Sequence, residues 1–343
     1  MPEKGCYIKD IRENQPVEGV FLVKSMARAE TKAGKPYLML TVMDRTGEIS
    51  TRVWDNADAL MPECETGGYI TLAGQSQAYK GILQLKIDKL RKIDPETIDP
   101  ALFMPSTPGD INAMSAELQK LIKTVDDPNL RDLLLAFFKN RKIFTLFKQA
   151  PAAKAMHHAY HGGLLEHTLG VARLASMLCE LYPTIDRSLL VTAALLHDIG
   201  KLEEFSFDTY PFDYSDRGRL VGHMMLGIEM IQQKIDAIPS FPDESATRLK
   251  HLILSHHGRH EFGSPVLPMM LEAFVLHFID DLDAKINYFN TLSAKSKNEG
   301  YEWSEFQRTL ERFLYIRGRN GGDDLYNGTD GKDDFDPRQG NLF

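Results

Sequence analysis

Leu195-Leu196-His197-Asp198-Ile199-Gly200-Lys201 closes an apolar helical stretch that begins at Leu189 and leaves an imidazole and a carboxylate side by side at its end. Four further segments, each expected on a helix, deliver the same residue types. They are Gly162-Gly-Leu-Leu-Glu-His167, Val221-Gly-His223, Leu254-Ser-His256-His257-Gly258 and Phe278-Ile-Asp280-Asp-Leu-Asp283-Ala284. The three cysteines, Cys6, Cys64 and Cys179, are too scattered for a disulfide framework or a thiolate zinc site, so any metal must be held by histidine and carboxylate. One histidine on a helix is usually a satisfied core or surface residue. A whole series on successive helices is different, because burying unpaired imidazoles and carboxylates is costly.

In chain order the series reads H…HD…H…HH…D, and it resembles the HD phosphohydrolase superfamily in every position of its metal-binding pattern. The resemblance implies a first divalent ion held by His167, His197, Asp198 and Asp280 and a second held by Asp198, His223 and His256. The chemistry suits that implication: imidazole and carboxylate fit manganese, iron, cobalt or magnesium, and the two oxygens of Asp198 allow it to bridge two ions. Two ions about 3.5–4 Å apart acidify a water and stabilise the attacking and leaving oxygens of a phosphodiester displacement, so no protein nucleophile is needed. Asp281 is rotated by about 100° from Asp280 on a helix, whereas Asp283 returns close to the same face. The family pattern places the ligand at Asp280 and leaves Asp283 to orient a histidine.

Beyond the ligands, His257 is expected about 100° from His256 on one helix, reaching a substrate phosphate or supporting the site from further out. Lys201 carries two readings: a cation that favours the end of the Leu189–Ile199 helix, or one that neutralises the scissile phosphate. His251, His260 and His277 fall outside the pattern and read as structural.

Outward from this motif, helical periodicity extends back through Leu133 to Phe147 and through Leu118, Leu121, Ile122 and Val125. Before it, Pro95, Pro100, Pro105 and Pro108 mark a linker. From Val17 to Leu90 the period is that of strands, expected at Val17–Ala27, Pro36–Met43, Glu48–Trp54, Tyr69–Gln77 and Ile82–Leu90. Leu38, Leu40, Val42, Ile49, Thr51 and Val53 face one side, and Tyr37, Met39, Thr41, Ser50, Arg52 and Trp54 the other. Five such strands look like an OB-fold, whose second and third strands carry the nucleic-acid face. Tyr37, Arg52 and Trp54 then contact the strand, unless Tyr37 and Trp54 merely cap a small barrel.

The fold class is therefore multidomain: an N-terminal all-β OB-like barrel (1–93), a linker (94–112), a C-terminal all-α HD domain (113–318) and an acidic tail (319–343). Hydrophobic residues make up 43% and charged residues 26% of the 343, the balance of a soluble globular protein. Residues 1–95 carry net charge +1 of a total of −8, so the acidity sits in the half that would bind cations. No apolar run approaches the roughly 20 residues of a membrane span, and Met1–Asp10 lacks a signal-peptide core, which points to the cytoplasm.

The pairing of barrel and HD pattern, with His158-Ala-Tyr-His-Gly-Gly-Leu-Leu-Glu-His167 and Ser255-His-His-Gly258, resembles the YhaM-type exoribonucleases over residues 10–316. That resemblance implies degradation of single-stranded RNA, and often DNA, from the 3' end, with manganese favoured. It makes the Met156–His161 segment a phosphate-contacting loop in which His158 and His161 meet the strand, although His161 stands where the family has an apolar residue. The expected partners are single-stranded RNA and DNA with no membrane, and a homo-oligomer is left open. Three alternatives remain: a phosphohydrolase of small nucleotides with a regulatory OB domain, which lacks the expected Gly-Tyr-Pro element; a non-catalytic nucleic-acid adaptor, against which the intact ligand set argues; and a di-iron oxygenase, since such enzymes share this ligand pattern.

Overall fold

The computed structural model describes residues 3–31, 33–79, 81–99, 102–154, 158–206, 212–296 and 298–318. The expected tail at 319–343 and the Met156-His157 part of the expected loop lie outside them. Five strands, β1 (Pro16–Glu30), β2 (Pro36–Asp44), β3 (Gly47–Val53), β4 (Tyr69–Tyr79) and β5 (Ile82–Ile93), close into a barrel in the order β1-β2-β3-β5-β4. The β3–β5 pair is parallel and the other pairs are antiparallel. This is the five-stranded Greek-key closure of an OB-fold. The long β1 serves two neighbours, pairing β4 up to Leu22 and β2 beyond it across an irregularity at Val23/Ser25. A short helix, α1 (Ala57–Leu60), follows β3.

The alternation does what its period requires. Leu38, Leu40, Val42, Ile49 and Val53 are buried with Phe21, Ile70, Leu72 and Leu85. Thr51, buried on the same side, satisfies its hydroxyl by donating to Leu40 O at 3.3 Å. Gly74 is required where β4 kinks, because a Cβ there would lie 2.1 Å from Lys86 O.

After the barrel come α2 (Ile111–Lys123), α3 (Pro128–Phe138), α4 (Arg141–Gln149), α5 (Gly163–Leu181), α6 (Arg187–Leu196), α7 (Lys201–Glu204), α8 (Asp216–Val221), α9 (His223–Ile235), α10 (Asp243–Ser255) and α11 (Leu271–Lys295). Side-chain caps start several of them. Asp110, Asp127, Asn140 and Asp186 accept from backbone N–H groups of the first turns of α2, α3, α4 and α6, each worth about 1 kcal/mol. Helix α6 is buried from Leu189 to Leu196, which makes it the axis of this body and explains its continuous apolar spelling. Beside the expected helices stand two short antiparallel ribbons, β6 (Phe205–Ser206) with β7 (Asp213–Tyr214), and β8 (Tyr301–Trp303) with β9 (Tyr315–Arg317). Strands of two or three residues are too short to show an alternating period.

The proline-rich segment between barrel and helices is packed. Phe103 and Met104 are buried in one cluster with Val20, Leu22, Met43 and Tyr69 of the barrel and with Phe212. Two backbone bonds tie it further, Thr107 N–H to His161 O and His161 N–H to Pro105 O, both 2.9 Å. Barrel and helices through Tyr288 form one compact unit, and Phe289 onward forms another. Among the described residues no helix is long and apolar enough to cross a membrane.

Candidate metal centre

Five backbone positions bring the histidines and carboxylates together: α5 carries His167, the end of α6 His197 and Asp198, the first residue of α9 His223, the end of α10 His256, and α11 Asp280 and Asp283. Close backbone contact sets two of these positions. A Cβ on Gly200 would sit 1.9 Å from His223 O and 2.5 Å from Gly227 N, so the absence of a side chain lets the Asp198 turn rest directly on α9. That packing corrects the expected helix Leu189–Ile199, because α6 ends at Leu196 and Lys201 begins α7. Likewise α10 ends at Ser255, so His257 lies past the helix and the 100° argument does not apply to it.

Each of the four inward imidazoles has its Nδ1 hydrogen placed by an acceptor behind it. His197 donates to Ala194 O at 2.9 Å, His256 to Ile253 O at 2.6 Å, His167 to Asp283 Oδ2 at 2.8 Å and His223 to Glu204 Oε1 at 3.0 Å. In the neutral ring this fixes the tautomer and leaves every Nε2 as a lone pair facing inward, the arrangement that outer partners impose on metal-binding histidines.

The inward atoms fall into two groups that share Asp198. His167 Nε2 lies 3.0 Å from Asp280 Oδ1, 3.2 Å from His197 Nε2 and 3.6 Å from Asp198 Oδ2, and His197 Nε2 lies 3.3 Å from Asp198 Oδ2. Ligand atoms around 2.0–2.2 Å from one ion stand at about these separations from one another. On the other side, Asp198 Oδ1 is 3.6 Å from His223 Nε2 and 3.8 Å from His256 Nε2. All three of those atoms are buried without a hydrogen-bond partner among the described residues. An unmet buried polar atom costs roughly 1–3 kcal/mol, and three aimed at one point are what a cation would satisfy. The donor set therefore fits divalent ions, with His167, His197, Asp198 and Asp280 around one position and Asp198, His223 and His256 around the other.

Electrostatics follow the same division. Burial lowers His167, but Asp280, Asp283 and Asp198 outweigh it and raise its pKa to about 10. Burial pushes His256 well below the usual imidazole value, helped by neighbouring His257. Burial would raise Asp198, yet Lys201 and His197 hold it well below the ordinary carboxylate range. Glu204 is lowered because its bonds to His223 outweigh burial.

Lys201 is buried with its ammonium 2.6 Å from Asp198 Oδ2, so it faces the cluster and is not spent on a helix terminus. His257 has its Nδ1–H on Phe262 O at 2.8 Å, and its ligand-capable atom lies within 4.8 Å of those of His223 and His256. His251, His260 and His277 each bond backbone. His277 also packs on Gly258, where a Cβ would meet the ring at 2.3 Å, and donates to His256 O at 3.0 Å.

His158 is not displayed for a strand. It is 4% exposed, with Nε2 3.1 Å from Asp283 Oδ2 and Nδ1 3.0 Å from Tyr160 Oη. Asn287 Nδ2 and Glu166 Oε2 both bond Tyr160 Oη at 3.0 Å, so a chain Glu166–Tyr160–His158–Asp283–His167 runs behind the cluster. His161 is held by backbone pairing to Ser106, and burial lowers its pKa. His158 is held by Asp283 and Asn287 of α11 and by Tyr160, and His161 by the packed 105–107 segment. Glu204, Tyr160, Glu166 and Asn287 were missed by sequence reasoning. Glu166 carried a faint signal as the neighbour of His167, and Glu204 could not be told from Glu203.

On the barrel, Tyr37 and Trp54 stack at 4.6 Å with planes 23° apart, next to the cross-strand pair Leu38–Val53. Arg52 pairs with Met39 on the same outer side, its guanidinium donating to Thr51 O at 2.9 Å. The three expected residues thus share one half-buried patch.

The HD domain family profile matches residues 164–285, which include every inward ligand, and a profile named TraI_2 matches 117–185. A protein of Listeria welshimeri called 3'-5' exoribonuclease YhaM is 34% identical over 84% of this chain and 91% of its own length. The chain belongs to the YhaM family. The YhaM protein of Bacillus subtilis, also called a 3'-5' exoribonuclease, is 31% identical over 87% of this chain and 93% of its own length. An OB-fold domain of replication protein A from Methanococcus maripaludis matches 26% of this YhaM-family chain and 94% of its own, with 18% identity and a TM-score of 0.22. The HD domain implies dependence on a divalent metal, and the His/Asp clusters of this member supply the ligand types for it.

Proposed function

We propose that this chain is a cytoplasmic 3'-5' exoribonuclease that hydrolyses the phosphodiester bonds of single-stranded RNA, and also of single-stranded DNA, with two divalent ions, manganese favoured. The observation that carries the reading is the orphaned trio Asp198 Oδ1, His223 Nε2 and His256 Nε2 beside a second group of inward donors on the same aspartate. Its kinship with the Listeria and Bacillus exoribonucleases supplies the substrate and the direction.

What two divalent ions supply at such a site is a water of lowered pKa and charge neutralisation on the scissile phosphate. The protein's own groups then divide the remaining work. His167, His197, Asp198 and Asp280 would hold one ion and Asp198, His223 and His256 the other, each ring oriented by its Nδ1 bond. Lys201, pinned by Asp198 at 2.6 Å, brings a cation to the phosphate, and His257, its Nδ1–H already engaged, offers Nε2 toward a phosphate or the leaving oxygen. Tyr37 and Trp54 offer π-faces for bases, and Arg52 a charge for the backbone. Residues 1–93 would thus hold the strand and residues 113–318 cut it.

Purified chain incubated with manganese and 5'-labelled single-stranded RNA should give a ladder that shortens from the 3' end and releases nucleoside monophosphates, while a circular RNA of the same sequence stays intact. Cleavage of the circle, or no cleavage with manganese, magnesium, cobalt or iron, would overturn the proposal.

A further inference from the structure

The ribbon β8–β9 sorts its side chains by chemistry. Its register pairs Tyr301 with Arg317, Glu302 with Ile316 and Trp303 with Tyr315, so the first and last pairs share a face and the middle pair points the other way. On the inner face Ile316 is 5% exposed, and Glu302 is tied to Ser296 Oγ and Asn298 Nδ2. On the outer face Tyr301, Trp303 and Tyr315 are 58%, 68% and 51% exposed. Tyr301 and Tyr315 stack at 5.2 Å with planes 20° apart, Trp303 adjoins Tyr315 at 5.1 Å, and the Arg317 guanidinium lies 6.0 Å from the Tyr301 ring centre. At the turn, exposed Phe306 and Phe313 meet edge-on at 5.3 Å. Aliphatic and acidic groups are turned in; aromatic rings and a cation are turned out.

We propose that this outer face is a second binding platform for single-stranded RNA, with bases stacking on Tyr301, Trp303 and Tyr315 and a phosphate meeting Arg317. The inference rests on the exoribonuclease reading for the nature of the strand, and it uses none of the barrel's residues. Single-stranded nucleic acids are held without sequence preference by just this pairing of stacked aromatic rings with arginine, since every base has a π-face and every linkage an anion. Charge complementarity favours RNA over a second copy of the chain. A copy would bring a second arginine and no anion to meet either guanidinium, whereas RNA brings rings and phosphates together.

The chain has two tryptophans, Trp54 and Trp303, one at each nominated strand contact, so each platform carries its own reporter. Full-length Trp54→Phe, kept in EDTA so that nothing is cut, is titrated with oligoadenylate. Trp303 emission should fall saturably, inorganic polyphosphate at equal phosphate should leave it unchanged, and Tyr301→Ala with Tyr315→Ala should weaken the response about tenfold or more. If Trp54→Phe does not fold, the difference between the unaltered chain and Trp303→Phe yields the same signal. Three outcomes overturn the platform: Trp303 stays silent while Trp54 in Trp303→Phe responds and the unaltered chain still degrades RNA with manganese; polyphosphate quenches as well as RNA; or Trp303 emission follows protein concentration without RNA, which marks a face for a second copy. Silence of both tryptophans together with no metal-dependent degradation would overturn the exoribonuclease reading as well.

Discussion

The two halves of the His/Asp cluster differ in how far they satisfy themselves. Around His167, His197 and Asp280 the inward atoms stand within hydrogen-bond range of one another, and Asp283 and His158 stand behind them. Around His223 and His256 the inward nitrogens and Asp198 Oδ1 have no hydrogen-bond partner among the described residues. A proton can close the first half, shared between His167 and Asp280, which is why three carboxylates keep that imidazole charged to about pH 10 against the pull of burial. The second half is open by its geometry, with the His223 and His256 Nε2 atoms 3.6 and 3.8 Å from Asp198 Oδ1, and burial with His257 holds His256 well below the usual imidazole value. On the proposed reading, metal would compete with protons in the first half, and in the second a cation would meet three atoms that the described residues leave unmet.

The largest effect should come from the residue that both halves share. Asp198→Asn keeps the side-chain volume but turns N–H donors toward places meant for cations. It should lower turnover more than about 10³-fold. Elemental analysis should show both metal positions emptied, with the circular dichroism unchanged; full metal content would refute the shared role.

Separating the halves comes next. Asp280→Ala should strip metal from the His167 side and His256→Ala from the other, each at a cost of about 10²–10³-fold in turnover, the scale of losing one charge-stabilising group at a reacting phosphate. Two variants that lose the same metal equivalent would break the division.

A smaller effect should follow from loosening His167 without touching a ligand. Asp283→Ala removes the acceptor of its Nδ1–H and should cost about 10–100-fold in metal affinity. Gly170→Ala should act in the same direction, since its Cβ would lie 2.1 Å from Asp283 Oδ1. Isothermal titration with manganese measures both, and unaltered affinity in both variants would remove Asp283 from the account.

The smallest effect is a pH dependence of the metal-free chain. His167 rises from 6.5 to about 10 on folding, so its stabilisation is fully present below about pH 6.5 and drains away as pH climbs through 10. Asp283, which burial would raise but His158 and His167 hold at about 2, contributes in the opposite window: present above about pH 4 and lost as pH falls through 2. The midpoint of thermal unfolding in EDTA should therefore fall between pH 7 and 10, and saturating manganese should flatten that fall. A metal-free chain indifferent to pH over that range would contradict the proton-closed half.

The strands were legible in the amino-acid order, because a period of two sends Leu38, Leu40 and Val42 to one side whatever surrounds them, and so were the residue types that meet at the cluster, because a whole series of imidazoles and aspartates on buried helices would be costly to leave unpaired. Helical spacing put Asp280 and Asp283 near one face of α11, nearly one turn apart, and the family pattern rather than that spacing set Asp283 behind Asp280. What stands behind each ring was set by how the helices pack. His167 and Asp283 meet across 116 residues, His158 and Asp283 across 125, and His223 finds Glu204 rather than Glu203. Such partners are selected by how α5, α9 and α11 pack, through contacts like Gly200 on α9 and Gly170 under Asp283, and no local period encodes a distance between helices. For the same reason His158 read as a strand contact but stands in the hydrogen-bond chain behind the metal cluster: its spelling fixed the kind of atom, and the fold chose which way that atom points.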